Sequence, residues 1–186
     1  MTIYIALLRG INVGGKNIIK MTELKQIFES IGLCEVQAYI QSGNVLFKSN
    51  GEEEFLRKNI ENEIKVNFGL SITVILRTAA ELEQIILNCP FTEEEISEAE
   101  SSSKVESLYV SLLIHAPSQE KIEIFNNYKS DSDEYQIVNR EVYLLLSHSI
   151  RDSKLANNLK RLDVPATVRN WKTINKLSML AKSKIL

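Results

Sequence analysis

Between residues 9 and 16 the chain reads Arg-Gly-Ile-Asn-Val-Gly-Gly-Lys, and cations flanking consecutive glycines can hold an anion. The peptide N–H groups of Gly14 and Gly15 are unscreened by side chains, and Arg9 and Lys16 add full charges beside them. The spacing Gly10-x-x-x-x-Gly15-Lys16 comes close to a phosphate-binding P-loop, with Asn17 where Ser or Thr would hold Mg²⁺. Two features oppose nucleotide hydrolysis: the nearest helix-cap signal is at Thr22, and the strands that follow read as a hairpin, not a parallel sheet. What survives is an anion cradle. A second polar group, Gln41-Ser42-Gly43-Asn44, falls in a turn where an apolar core has no use for Gln41, Ser42 or Asn44. A third lies near the C-terminus, where Arg151, Lys154, Lys160, Arg161, Arg169, Lys172, Lys176, Lys182 and Lys184 face only Asp152 and Asp163. There Asn170-Trp171-Lys172-Thr173 opens a helix beside Arg169, a favourable place for an anion. Trp171 reads as a half-buried anchor of that helix, not as a stacking platform.

Other chemistry is thin. His115 and His148 are the only histidines and have no Cys or Asp at metal-ligand spacing, so neither metal nor cofactor is expected. The Glu52-Glu53-Glu54 and Glu93-Glu94-Glu95 runs read as a helix N-terminus and a solvated linker, not as paired catalytic carboxylates. Tyr4 offers one stackable aromatic on the first strand, but Gly43 to Lys48 lacks the aromatic pair of an RNA-recognition module, and Phe47 reads as core.

These groups are positioned by alternating strand and helix signals. Ile3 to Leu8 is an apolar run of strand length. Thr22 caps a helix bearing Leu24, Ile27, Phe28 and Ile31, stopped by Gly32. Val36 to Ile40 and Val45 to Phe47 flank the Ser42-Gly43 turn, and Asn50 precedes an acid-led helix that closes at Gly69. Leu70 to Leu76 alternates as a strand, and Thr78-x-x-Glu81 is a capping box opening a helix that ends near Pro90. The order β-α-β-β-α-β-α contains the ferredoxin-like arrangement. Residues 92–106 are acidic and Ser-rich, the composition of a linker or exposed loop.

Beyond it the order returns: a strand over Leu108 to Ile114, a helix capped by Ser118, a hairpin about Asn139-Arg140, a helix capped by Ser153, an extended piece over Ala166 to Arg169, and a final helix. Arg77-Thr78 and Arg169-Asn170 both place an Arg at a strand end before a helix cap. The fold expected is α+β, two tandem ferredoxin-like (βαββαβ-type) units with largely antiparallel sheets, spanning 1–91 and 107–186. The halves differ in one connection. Between first strand and first helix the second half needs only His115 to Ser118, whereas the first half spends Arg9 to Met21, and long glycine-rich loops are more often functional than short ones.

The 186 residues carry 22 basic and 24 acidic side chains, 44% hydrophobic residues and two cysteines. No apolar run approaches the roughly 20 residues that span a bilayer, and no secretory leader is visible, so no membrane partner is expected. Cys34 and Cys89, far apart and in no C-x-x-C, read as two buried thiols in a reducing cytoplasm. The net charge of −2 conceals a polarised chain: +2 over residues 1–48, −11 over 49–149 and +7 over 150–186. That excludes an indiscriminately basic nucleic-acid binder and leaves a local anion site open.

Arg9 to Lys16 resembles the opening motif of the bacterial domain-of-unknown-function 1697 family, and Tyr39 to Phe47 resembles its hairpin motif. Ser153-Lys154-Leu155 and Thr167 to Thr173 resemble its C-terminal motifs. The resemblance implies a bacterial protein with a duplicated α+β, ferredoxin-related fold, and carries no activity with it. From the residues themselves, convergence of the first and last motifs would bring together the charges of Arg9, Lys16, Lys154 and Arg169. Gly14, Gly15, Asn12, Gln41, Asn44 and Asn170 would supply neutral hydrogen bonds, with Ser42, Trp171 and Thr173 beside them. Such a set suits a phosphorylated small molecule or a nucleic-acid end. Two alternatives stand: an enzyme acting on a small phosphorylated or amide substrate through Ser42 or Lys16, and a protein-interaction module whose motifs only fix turns.

Overall fold

The computed structural model describes residues 1–102 and 105–184. The chain divides into two compact units, Met1–Gln84 with Lys176–Leu186, and Ile85–Asn175. The division falls inside two helices.

The first unit contains β1 (Thr2–Leu8), α1 (Met21–Ser30), β2 (Cys34–Tyr39), β3 (Asn44–Ser49), α2 (Glu53–Phe68), β4 (Val74–Thr78) and the start of α3 (Ala79–Leu87). Its sheet has the order β2-β3-β1-β4, with every neighbouring pair antiparallel. β1 is a central strand buried from Ile3 through Leu8, which is why its sequence is a continuous apolar run and not an alternating one. Tyr4, Ala6 and Leu8 pack with Leu24 and Phe28 of α1 and with Ile60 and Ile64 of α2. The aromatic on β1 is core, not a stacking platform: the Tyr4 ring stacks on Phe47 at 5.6 Å, and its hydroxyl donates to the Gly51 carbonyl at 3.0 Å.

In the second unit α4 (Glu93–Ser102) precedes β5 (Leu108–Leu113), α5 (Gln119–Asn126), β6 (Glu134–Val138), β7 (Glu141–Leu145), α6 (Lys154–Asn157), a 3₁₀ turn (Leu159–Leu162), β8 (Ala166–Asn170) and α7 (Trp171–Ser183), which runs on into the first unit. The sheet order is β6-β7-β5-β8, again antiparallel throughout.

The central pairings of the two sheets correspond, while the outer hairpins differ: Tyr39 pairs with Asn44 across a four-residue turn with a bulge further along, and Val138 pairs with Glu141 across a two-residue turn with none. Tyr4 and Ile5 oppose Thr78 and Arg77 across β1 and β4, as Tyr109 and Val110 oppose Asn170 and Arg169 across β5 and β8. Leu8 N–H donates to the Gly43 carbonyl and Arg9 N–H to Thr73; Leu113 N–H donates to Arg140 and Ile114 N–H to Pro165. Each buried arginine donates to the carbonyl just before it, Leu76 at 2.7 Å and Val168 at 2.9 Å. Each is followed by a helix cap: Thr78 exchanges bonds with Glu81, and the Asn170 side chain accepts from Thr173 N–H at 2.8 Å.

Several sequence expectations need correction. The acidic stretch holds a helix, α4, opened by a second capping box in which Thr92 Oγ1 accepts from Glu95 N–H and the Glu95 carboxylate accepts from Thr92 N–H. α1 begins at Met21 after Lys20 with no side-chain cap, and Thr22 lies inside it. Only Val74 onward forms β4, because Gly69 closes α2 in the left-handed region and Leu70 to Thr73 climb to the sheet edge unpaired by any strand. The helix expected after Ser153 breaks into α6 and the 3₁₀ turn. Cys34 is exposed because it starts the outer strand β2 beside a bulge, and Cys89, just after α3, is only half-buried.

The Tyr143 hydroxyl is sealed in the second unit and donates to the Ile85 carbonyl at 2.7 Å, with burial pushing its pKa well up. Tyr143→Phe is expected to cost about 1 kcal/mol, and the corresponding drop in Tm is read by thermal denaturation. The folded chain keeps a proton that the unfolded chain releases near pH 10, so this contribution declines as pH rises above about 10.

Candidate functional site

The connection from β1 to α1 is an ordered excursion built on two asparagines. Val13 and Lys16 form an isolated antiparallel bridge, closed by Lys16 N–H to the Val13 carbonyl at 3.1 Å and Asn12 N–H to Asn17 at 3.1 Å. Gly14 and Gly15 form its two-residue tip, both at positive φ (59° and 73°), as primed hairpin turns require. The sequence therefore uses two glycines here for backbone geometry, and a Cβ on either would meet nothing within 4 Å. Asn12 and Asn17 also sit at positive φ, where asparagine is the best tolerated side chain after glycine.

Asn12 is the clamp. Its amide donates to the Ile19 carbonyl and to the Gln41 carbonyl, each at 2.9 Å, and its carbonyl oxygen accepts from Ile19 N–H at 2.9 Å. One side chain thus ties the base of the hairpin to the β2–β3 turn. Asn17 reaches back to the Gly10 carbonyl at 3.0 Å. The turn is anchored as firmly: Asn44 is fully buried and donates to the Tyr39 carbonyl and to Ser42 Oγ, while Leu8 N–H holds the Gly43 carbonyl.

This sorts the candidate residues. Asn12 and Asn44 belong to the scaffold, which corrects the expectation that packing has no use for Asn44. A buried amide satisfied by a carbonyl and a hydroxyl is itself core structure. Arg9, Gly14, Gly15, Lys16 and Gln41 are exposed at one end of the first sheet. Val13 and Ile18 are also exposed there, at 61% and 71%, an uncommon choice for a purely structural turn.

The C-terminal candidates lie in the second unit. Arg169 is 8% exposed, donates to Thr167 Oγ1 at 2.8 Å as well as to Val168, and burial pulls its pKa down to about 10. Its side chain is turned inward and packed in the second unit, with these hydrogen bonds as structural contacts. Asn170 occupies the N-cap of α7, so its side chain already takes the Thr173 N–H; Trp171 and Thr173 are half-buried beside it. Lys154 is exposed, and its ammonium stands 6.0 Å from the Tyr128 ring centre, with the Arg161 guanidinium 5.7 Å from the same ring. Sequence reasoning missed Tyr128 and Arg161 as companions of Lys154, and the only available signal was the basic bias of the segment.

Among the described residues no group of three or more His, Cys, Asp or Glu stands where it could hold a metal ion, and no helix is long and apolar enough to cross a membrane.

Fold and loop together define a class: a repeated α+β protein in which one half alone carries a glycine-tipped hairpin. The chain belongs to the family described as "Protein of unknown function (DUF1697)", which it matches over residues 1–143. That match includes the hairpin and the β2–β3 turn and ends before Lys154 and Arg169. No curated protein matches the chain. Among solved structures it is similar to a conserved bacterial protein from Streptococcus pneumoniae, with 25% identity, a TM-score of 0.70 and coverage of 97% of this chain and 98% of that one.

Proposed function

We propose that this protein binds a phosphate-bearing ligand, a nucleotide or a nucleic-acid end, and that the hairpin of the first unit carries the interaction. The observation behind this reading is the asymmetry between the halves. Their central strands pair in matching register, yet only the first unit inserts a hairpin between its first strand and first helix, braces it with Asn12 and Asn17, and leaves its glycine tip and Lys16 in solvent. Ordering so much polar backbone costs conformational entropy that no core burial at the tip returns. Arg9 and Lys16 supply charge, the Gly14 and Gly15 amides and the Gln41 side chain supply hydrogen bonds, and Asn12 sets the geometry without touching the ligand. Arg169 and Asn170 keep their structural roles. The repeated buried arginine and cap support an origin by duplication. Two unpaired thiols are in keeping with a reducing, cytoplasmic setting.

The test is titration with a single-stranded oligonucleotide carrying a 5′-phosphate, against the same oligonucleotide without it. Arg9→Ala and Lys16→Ala are each expected to weaken binding about tenfold, the size of one charge-assisted hydrogen bond, and to flatten the salt dependence by about one charge. Binding indifferent to both changes removes the hairpin from the site.

A protein-docking role is the second reading, favoured by the exposed Val13 and Ile18. An enzyme acting through Ser42 has less support. The Ser42 oxygen accepts from the Asn44 amide at 3.1 Å, a contact that holds the turn and does not activate a nucleophile.

A further inference from the structure

The first unit has a second feature, remote in sequence from the hairpin tip. Along α2, Lys58, Glu61, Asn62 and Lys65 recur at i, i+3, i+4 and i+7, a spacing that lines one stripe of a helix. With Ser71 and Thr73 on the facing segment they line an open groove of about 370 Å³, the size of small-molecule sites. Its walls are braced. The Glu61 carboxylate accepts from Val74 N–H at 2.9 Å and pairs with Arg57 at 3.3 Å, tying helix to strand. The Thr73 carbonyl accepts from Arg9 N–H at 2.9 Å, fixing the other wall to the end of β1.

We infer that this groove binds a small phosphorylated polyol, such as a sugar phosphate. The lining favours that class on three counts. Lys65 is exposed, has no ion-pair partner among the described residues, and can take a phosphate. Lys58 pairs with Glu54 in open solvent at 2.6 Å, an interaction weak enough to be exchanged for a ligand. Between the lysines, which stand about 10 Å apart along the helix axis, a braced carboxylate, an amide and two hydroxyls can bond sugar hydroxyls as both donors and acceptors. The one apolar lining residue, Ile72, is buried, so the groove offers little to an aromatic or hydrocarbon ligand.

Ribose 5-phosphate is the probe, with ribose and inorganic phosphate as halves of it, followed by calorimetry and amide chemical shifts on the full chain. The phosphorylated sugar is expected to bind and to shift the Asn62, Lys65 and Ser71 amides. Either half alone should bind at least about tenfold more weakly, and Lys65→Gln should cost a similar factor. Asn62→Ala, also at an exposed position, should weaken ribose 5-phosphate while leaving residual binding of inorganic phosphate unchanged. Lys16→Ala should leave all of this intact, which separates the groove from the hairpin. No binding at millimolar ribose 5-phosphate, equal binding of inorganic phosphate, or affinity insensitive to Lys65→Gln and Asn62→Ala overturns the assignment.

Discussion

Gly43→Ala is expected to destabilise the chain by about 3 kcal/mol, the sum of a left-handed backbone penalty of about 1–2 and overpacking of about 1–3. Gly43 lies at φ +78°, and a Cβ there would stand 2.7 Å from Ile11 Cδ1, 2.8 Å from Ile11 Cγ1 and 3.0 Å from Leu8 Cβ. Ile11 cannot retreat cheaply, because it is fully buried and, with Ile19, anchors the β1–α1 connection in the core. Leu8 is equally confined in the central strand. A chain of this length loses about 2–4 °C per kcal/mol, so Tm should fall by roughly 6–12 °C, read by calorimetry. A drop under about 2 °C would mean that the turn relaxes freely and that the contact between turn and loop is not tight. Other glycines provide the control. Gly14 also has positive φ but open space around it, so Gly14→Ala incurs only the backbone term, about 1–2 kcal/mol.

Asn12→Ala is expected to lose about 3 kcal/mol, one for each of the three hydrogen bonds that converge on a single amide. The substitution also leaves Ala at φ 54°, a conformation for which it lacks asparagine's tolerance. Its signature differs from that of a lost ligand contact. Protection of the Ile19 amide against hydrogen exchange should collapse, since that N–H loses its named acceptor, while the central strand around Ile5 stays protected. Phosphate-ligand affinity should fall as well, indirectly, because the hairpin loses its anchor to the Gln41 turn. Asn12→Asp separates the two: it keeps the acceptor for Ile19 N–H and loses only the donated bonds.

The order of elements was legible because each signal is local. The run from Ile3 to Leu8, the Thr78–Glu81 box and the Ser118 and Ser153 caps all act within a few residues, and the structure places them as read. The missed helix over Glu93–Ser102 carried the same kind of signal, Thr92 to Glu95, but its low apolar content outweighed the cap in a reading based on burial. What could not be read was which polar residues are structural. Asn12, Asn44 and Arg169 look like ligand hands in a list of residue types. Their partners include backbone groups up to 29 residues away and nearby hydroxyls such as Ser42 and Thr167, and only the fold reveals these bonds. That changes how a binding test must be designed. Arg169→Ala removes a buried side chain and its bonds to Thr167 and Val168, so lost binding in that variant would report unfolding before it reported recognition. Arg9 and Lys16, exposed on a braced loop, are the positions where charge can be removed with the fold left standing.

Amide chemical-shift mapping during titration with a 5′-phosphorylated oligonucleotide tests the hairpin assignment most directly. The Gly14 and Gly15 N–H signals are expected to move downfield with saturation and Gln41 to follow, while the Arg9→Ala, Lys16→Ala double variant shows neither shift and keeps its Tm. If the oligonucleotide binds and the two glycine amides stay where they are, or if the double variant binds as the parent does, the hairpin is not the anion site.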